Sequence, residues 1–141
     1  MNVRAAEASD AAVVASLAGE LGYPTDEPAM RTRLAALAAS SVDAVFVVPR
    51  DGDVAGWIHV AIVQSLEADP FAEIRGLVVT ASARGLGLGT RLVEAAEAWA
   101  RERRAFRVRV RSNVAREETR RFYEDRGYAV TKTQSVFDKR L

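Results

Sequence analysis

The chain has 141 residues, 20 Lys plus Arg set against 19 Asp plus Glu, and no cysteine. That length suits a single domain spanning residues 1–141 with a core of its own; the balanced charge gives no general attraction for nucleic acid; and the lack of thiols excludes disulfides, thiolate metal sites and a cysteine acyl intermediate. Met1-Asn2-Val3-Arg4-Ala5 carries no apolar signal region and no apolar run approaches the ~18 residues that span a bilayer, so a cytoplasmic protein with no membrane partner is expected.

Val3 to Ala6 reads as a short strand, and Ser9-Asp10 offers N-cap chemistry for a helix with Val13, Val14, Leu17 and Leu21 on one face, stopped by Gly22. Pro24 to Pro28 forms a punctuated connection, after which Met30, Leu34 and Leu37 mark a second helix. Val42 to Val48 and Val54 to Val63 flank Asp51-Gly52, the pattern of an antiparallel hairpin. Phe71 to Val79 is the next strand. Leu88, Leu92, Val93, Ala96 and Trp99 repeat at helical spacing up to about Arg103, and Phe106, Val108 and Val110 then alternate as a strand. Ala115 to Asp125 is helical with Gly127 as its stop, and the β-branched and aromatic residues of Ala129 to Asp138 predict two final strands. The expected class is α/β (α+β): about seven strands in a mixed, mostly antiparallel sheet with four helices, in the order β-α-α-β-β-β-α-β-α-β-β.

The stretch with most chemical content is Arg84-Gly85-Leu86-Gly87-Leu88-Gly89-Thr90, between an apolar strand and a long amphipathic helix. Glycines at alternate positions let the main chain approach a ligand closely, and the helix start supplies unpaired N–H groups and positive potential suited to phosphate. A P-loop would need Gly-Lys-Ser/Thr where the chain has Gly89-Thr90-Arg91, and a dinucleotide fingerprint would need glycine where Thr90 or Leu92 stands. The Arg-x-x-Gly-x-Gly pattern that remains, following Ile74-Arg75-Gly76-Leu77-Val78-Val79, resembles the GNAT superfamily of N-acetyltransferases. A second block, Arg111-Ser112-Asn113-Val114-Ala115-Arg116 followed by Phe122-Tyr123-Glu124-Asp125-Arg126-Gly127-Tyr128, is similar to that family's Asn-x-x-A helix start and F-Y-E-x-x-G-Y/F helix end. The likeness covers nearly the whole chain and is strongest from Phe71 to Tyr128.

The resemblance implies acetyl transfer from acetyl-CoA to an amine by direct attack, with no metal and no covalent enzyme intermediate. It implies that main-chain groups of Leu77, Val78 and Val79 pair with pantetheine, and that Arg84, Gly85, Leu86, Gly87, Leu88, Gly89 and Thr90 hold the pyrophosphate. It also implies that Asn113 contacts the cofactor, and Asn113 could cap the following helix as well. Tyr123 corresponds to the family tyrosine that returns a proton to the departing thiolate, and Glu73 is placed like the catalytic glutamate of the histone acetyltransferase branch. The ribosomal-protein branch instead carries its glutamate on the later strand, where this chain has Val108. An amine near its ordinary pKa of ~10 is mostly protonated at neutral pH, so a carboxylate, directly or through water, would assist.

His59 could serve as the base instead, although a lone histidine on an apolar strand is usually structural. Arg107, Arg109 and Arg111 alternate along one strand; in a neutral protein such arginines are usually solvated or paired with glutamate on an adjacent helix, and no nucleic-acid partner is expected. Glu67, Asp69, Tyr23 and Asp26 fall in the regions that flank the family's acceptor groove and would suit a cationic small-molecule or peptide amine. Leu21-Gly22-Tyr23-Pro24 and the tail from Thr131 to Leu141 look loosely like aminoglycoside-type members. C-terminal strands of this family often pair between subunits, which makes a homodimer an option. The rival readings are a non-catalytic acyl-CoA-binding or sensor module, and a nucleotide-phosphate-binding protein of another fold.

Overall fold

The computed structural model describes residues 2–113 and 116–141. The chain divides into two compact units, Met1–Val110 and Arg111–Leu141. The first contains β1 (Arg4–Ala5), α1 (Ala11–Leu21), α2 (Glu27–Ala39), β2 (Asp43–Arg50), β3 (Asp53–Val63), β4 (Phe71–Val79), α3 (Leu88–Glu102) and β5 (Val108–Val110). The strands lie in sequence order in one sheet, antiparallel throughout except for the parallel β4/β5 pair.

Local sequence explains most of the element boundaries. Asp26 caps α2 by accepting the Ala29 N–H at 2.8 Å, and Pro28 lies inside the helix's first turn, where a missing N–H costs nothing. The second helix therefore begins ahead of Pro28 rather than after it. Asp51 and Gly52 both have positive φ, 52° and 81°, the type I′ turn that matches the twist of a two-residue hairpin.

The two faces of the sheet are filled differently. On one face Val14, Leu17 and Ala18 of α1 and Met30 and Leu34 of α2 meet Val47, Val54 and Val78, with Trp57 packed alongside. The Trp57 indole donates to the Val14 carbonyl at 3.2 Å and lies over Gly76, where an added Cβ would come within 2.9 Å of the ring. On the other face α3 packs across β2, β3 and β4, burying Leu88, Leu92, Val93, Ala96 and Trp99 at helical spacing. A Cβ on Gly56 would meet the Val78 carbonyl at 2.7 Å and Leu92 at 3.3 Å, so glycine there permits close approach of strand and helix.

The second unit contains α4 (Glu117–Glu124), with Gly127 at φ 92° just past its end. Ala115, the expected first residue of this helix, lies outside the described residues. The two final strands expected from Ala129 to Asp138 do not form: residues 129–141 adopt no regular structure and are exposed throughout. Among the described residues the sheet thus has five strands, not seven. β-branched residues favour an extended chain, but a strand also needs a neighbour for its backbone groups and a buried face, and Thr131-Lys132-Thr133-Gln134-Ser135 offers no apolar alternation.

Candidate active site

The strand β4 changes character along its length. From Ala72 to Ile74 it is paired on both sides, with β3 and with Val108–Val110 of β5. From Arg75 to Val79 the β3 ladder continues, while the β5 register has ended. A shift in the β3/β4 register between His59 and Val60 leaves Arg75 as the extra residue at this point, and such bulges re-aim a strand and its side chains. Leu77, Val78 and Val79 therefore lie on a strand segment that has no second strand partner among the described residues, available for an extended ligand to pair with.

Past Val79 the chain makes a one-turn 3-10 helix at Ala81–Ala83 and enters the glycine loop. Gly85 and Gly87 have φ of 82° and 79°, and a Cβ on either would meet nothing within 4 Å. They are glycines for their left-handed backbone, with open space beside them. Gly87 is the N-cap of α3, and its carbonyl accepts from Arg91 N–H at 3.2 Å. The N–H groups of the first turn, from Leu88 onward, have no carbonyl four residues back within the helix, which leaves them suited to an anion. The Arg84 side chain folds back, its Nε donating to the Val79 carbonyl at 3.3 Å, so the loop is tied to the end of β4. The open space and helix-start donors fit a pyrophosphate.

Glu73 lies in the doubly paired half of β4 and is 4% exposed. Its Oε1 is 2.8 Å from Arg75 Nη1; its Oε2 accepts from Arg109 Nε at 2.7 Å and also pairs with Arg109 Nη2. Arg109 stands directly opposite Glu73 on β5, and its guanidinium stacks 4.6 Å from the centre of the Phe71 ring, with that of Arg107 at 4.2 Å. Of the three alternating arginines, Arg109 thus serves an acid on a neighbouring strand rather than one on a helix. His59, two residues from Ala61, which faces Glu73, bonds Asp43 Oδ1 through Nε2 at 2.8 Å, and Ser40 Oγ donates to Asp43 Oδ2 at 2.7 Å. Burial works against the Asp43 carboxylate, but these hydrogen bonds and the His59 and Arg75 charges hold its pKa below the ordinary range.

Asn113 and Tyr123 belong to the second unit. The Asn113 carbonyl accepts the Arg116 N–H at 3.0 Å ahead of α4. Tyr123 is 7% exposed and meets Phe122 and Tyr128 edge-on, at ring-centre distances of 5.1 and 5.4 Å. Burial pushes its phenol up to about 12, against a small opposing effect of Arg126, so the group is protonated at neutral pH.

The matching family model is described as the acetyltransferase (GNAT) family and covers residues 12–128. The chain belongs to the GNAT acetyltransferase family. Among solved structures, the apo aminoglycoside antibiotic 6'-N-acetyltransferase AAC(6')-Ig from Acinetobacter haemolyticus superimposes with a TM-score of 0.85 at 19% identity, covering 100% of this chain and 99% of that one. AAC(6')-Iy in complex with the bisubstrate analogue CoA-S-monomethyl-acetylneamine gives a TM-score of 0.87 at 17% identity, with coverage of 99% and 98%. A protein from Bacillus halodurans C-125 named as a transcriptional regulator gives 0.87 at 20% identity, with 98% and 99% covered. At these identities the likeness shows a shared fold, and one fold serves different functions. Comparison with curated protein sequences finds no match.

Within the first unit, Glu73, Leu77–Val79 and the Arg84–Thr90 loop fall along one run of chain from strand to helix. Sequence reasoning missed three of the groups that organise this region: Arg75, the Asp43 partner of His59, and Glu20, whose carboxylate accepts from Thr80 and Ala81. Arg75 was legible in principle, since residues two apart on a strand share a face. The other two depend on contacts across the fold that no local pattern signals. Of the acids expected to serve a cationic acceptor, Asp26 is occupied in capping α2. Among the described residues no helix is long and apolar enough to cross a membrane.

Proposed function

We propose that the protein is a coenzyme A-dependent N-acetyltransferase that moves an acetyl group from acetyl-CoA to a primary amine of a small molecule or peptide. The observation that carries this reading is the edge of β4 from Arg75 to Val79, without a second strand among the described residues, running into a loop of left-handed glycines at the start of α3. On this reading Leu77–Val79 pair with pantetheine through the main chain, the Arg84–Thr90 loop takes the pyrophosphate, and Asn113 adds a cofactor contact. The amine nitrogen attacks the thioester carbonyl, a C–N bond forms and the C–S bond breaks. Glu73 accepts the proton lost by the ammonium, through water because both of its oxygens already bond arginines; Tyr123 gives its proton to the coenzyme A thiolate, and the second proton, shed by the nitrogen once the C–N bond has formed, restores the phenol. The phenol carries its proton at neutral pH, as a donor must, although burial makes it a weaker acid than a free tyrosine. The aminoglycoside acetyltransferases among the structural neighbours make amino sugars a reasonable first acceptor class to assay.

Calorimetric titration with acetyl-CoA, beside Gly87→Glu, tests the cofactor assignment. Wild type should bind, and the folded variant should lose binding as a strained backbone and a negative charge crowd the loop. No binding by folded wild type would overturn the reading. Thiol release with a panel of amines then tests catalysis, and Tyr123→Phe should lower the turnover number by about 10- to 100-fold with little change in KM. An unchanged turnover number at saturation would remove Tyr123 from the mechanism.

The arginine partners of Glu73 favour one second reading, an acyl-CoA-binding sensor in which that carboxylate is structural. Tight acetyl-CoA binding with no thiol release on any amine would support it.

A further inference from the structure

Glu20 lies in the last turn of α1 and reaches a segment 60 residues further along the chain. Its Oε2 accepts from Thr80 Oγ1 at 2.9 Å and its Oε1 from the Ala81 N–H at 3.0 Å. Thr80 is the N-cap of the one-turn 3-10 helix Ala81–Ala83, and its own side chain caps nothing. The cap is instead supplied from outside, by a carboxylate placed at the positive end of that turn. The other ties on the turn and its next residue are main-chain bonds, Thr80 N–H to the Ala55 carbonyl at 2.8 Å, Ala83 N–H to Thr80 at 3.0 Å and Arg84 N–H to Ala81 at 3.4 Å, together with the local bond from Arg84 Nε to the Val79 carbonyl at 3.3 Å. Ala83 is buried and Arg84 follows it directly, so the turn sets where the glycine loop begins.

We propose that Glu20 is a positioning residue for coenzyme A, fastening the 80–83 turn to α1 and thereby holding the Arg84–Thr90 loop ready for the pyrophosphate. This rests on the acetyl-CoA reading above. The loop binds through main-chain N–H groups, and such donors gain affinity only if their directions are fixed before the ligand arrives. Left-handed glycines with open space around them do not fix themselves, because glycine has the widest backbone freedom of any residue. The constraint has to come from the ends: α3 on one side, and on the other a turn whose only side-chain tie to a distant element, among the bonds described, is Glu20. The α1 end that carries Glu20 is itself fixed by Gly22 in the left-handed region and by the Tyr23 N–H bond to the Ala18 carbonyl at 2.9 Å.

The test compares Glu20→Ala with Glu20→Gln, each titrated with acetyl-CoA by calorimetry and then assayed for turnover. Glutamine keeps both contacts, its carbonyl accepting from Ala81 N–H and its amide donating to a reoriented Thr80 hydroxyl, while alanine keeps neither. Glu20→Gln should bind acetyl-CoA within about 3-fold of wild type, and Glu20→Ala about 10-fold more weakly. The loss should appear as a raised KM for acetyl-CoA with an unchanged turnover number. Thr80→Val should weaken binding less than Glu20→Ala, and the double variant should be no weaker than Glu20→Ala alone, because the two side chains act through one contact. Wild type that binds while Glu20→Ala binds equally well would overturn the proposal and leave the acetyl-CoA reading standing. Loss of turnover number with unchanged affinity would also overturn it. Failure of wild type itself to bind would instead sink both. A melting temperature for each variant separates loosened binding from unfolding; if Glu20→Ala is unstable, folded Thr80→Val decides, its weaker binding supporting the proposal and wild-type binding overturning it.

Discussion

Glu73 and Tyr123, the two proposed proton carriers, are both nearly enclosed, yet their surroundings are opposite in kind. Glu73 sits between two guanidiniums, one of them centred 4.6 Å from the middle of the Phe71 ring. Tyr123 sits against two aromatic rings, with its phenol pushed up to about 12 by burial. A carboxylate leaves water only if counter-charges and hydrogen bonds replace it, whereas a phenol is neutral at physiological pH and tolerates apolar neighbours. The first neighbourhood therefore holds a charge in place at the cost of tying up its lone pairs, and the second holds a proton in place by making its loss unfavourable.

The largest effect should come from taking the charge out of the first neighbourhood. Glu73→Ala leaves Arg75 and Arg109 facing each other without their shared anion. Arg75 is half exposed and can turn to water, so the loss should be about 2–4 kcal/mol, near the lower end of what breaking a fully buried pair costs. Urea unfolding measures it. A loss below about 1 kcal/mol would mean that the arginines are individually solvated and that Glu73 is not structurally required.

The second neighbourhood responds to pH in the opposite region of the scale. Tyr123 has a folded-state pKa raised above its unfolded value of ~10, so it contributes fully below pH ~10 and that contribution is lost as pH rises towards 12. The expected loss across this window is about 2–3 kcal/mol, from the two-unit displacement. Tyr123→Phe, which has no proton to lose, should flatten that part of the curve of stability against pH. An alkaline limb of equal depth in the variant would place the titration on another group.

How far the sequence revealed this depends on the range of the interaction concerned. The β4 boundaries, the hairpin turn at Asp51-Gly52 and the amphipathic face of α3 are encoded within a few residues, and all appear as read. The Gly85 and Gly87 backbone was legible because left-handed conformations leave a residue-type signature. The two terminal strands were misread because Ala129 to Asp138 has strand-like composition without the partner a strand requires. The clamp on Glu73 was hidden for a related reason: Arg109 is brought opposite Glu73 only by the parallel β4/β5 register. Glu20 is the extreme case, an ordinary helix-end glutamate in sequence whose contacts lie on the far side of three strands of chain.

Asp43 falls between the two extremes, and it sharpens the comparison by the smallest expected effect. Its carboxylate is partly exposed and is held by His59 and Ser40, a titratable partner and a neutral one, where Glu73 has two permanent cations. Asp43→Asn should cost about 1 kcal/mol at neutral pH, the net worth of a hydrogen-bonded carboxylate that water still reaches. The sign of its pH dependence follows from the lowered pKa: the contribution is present above the unfolded value of ~4 and is lost as pH falls through the lower folded value. The stability difference between wild type and Asp43→Asn should therefore shrink as pH falls below ~4. An equal difference at pH 3 and at pH 7 would show that the contacts of Asp43 with His59 and Ser40 do not depend on the carboxylate's charge.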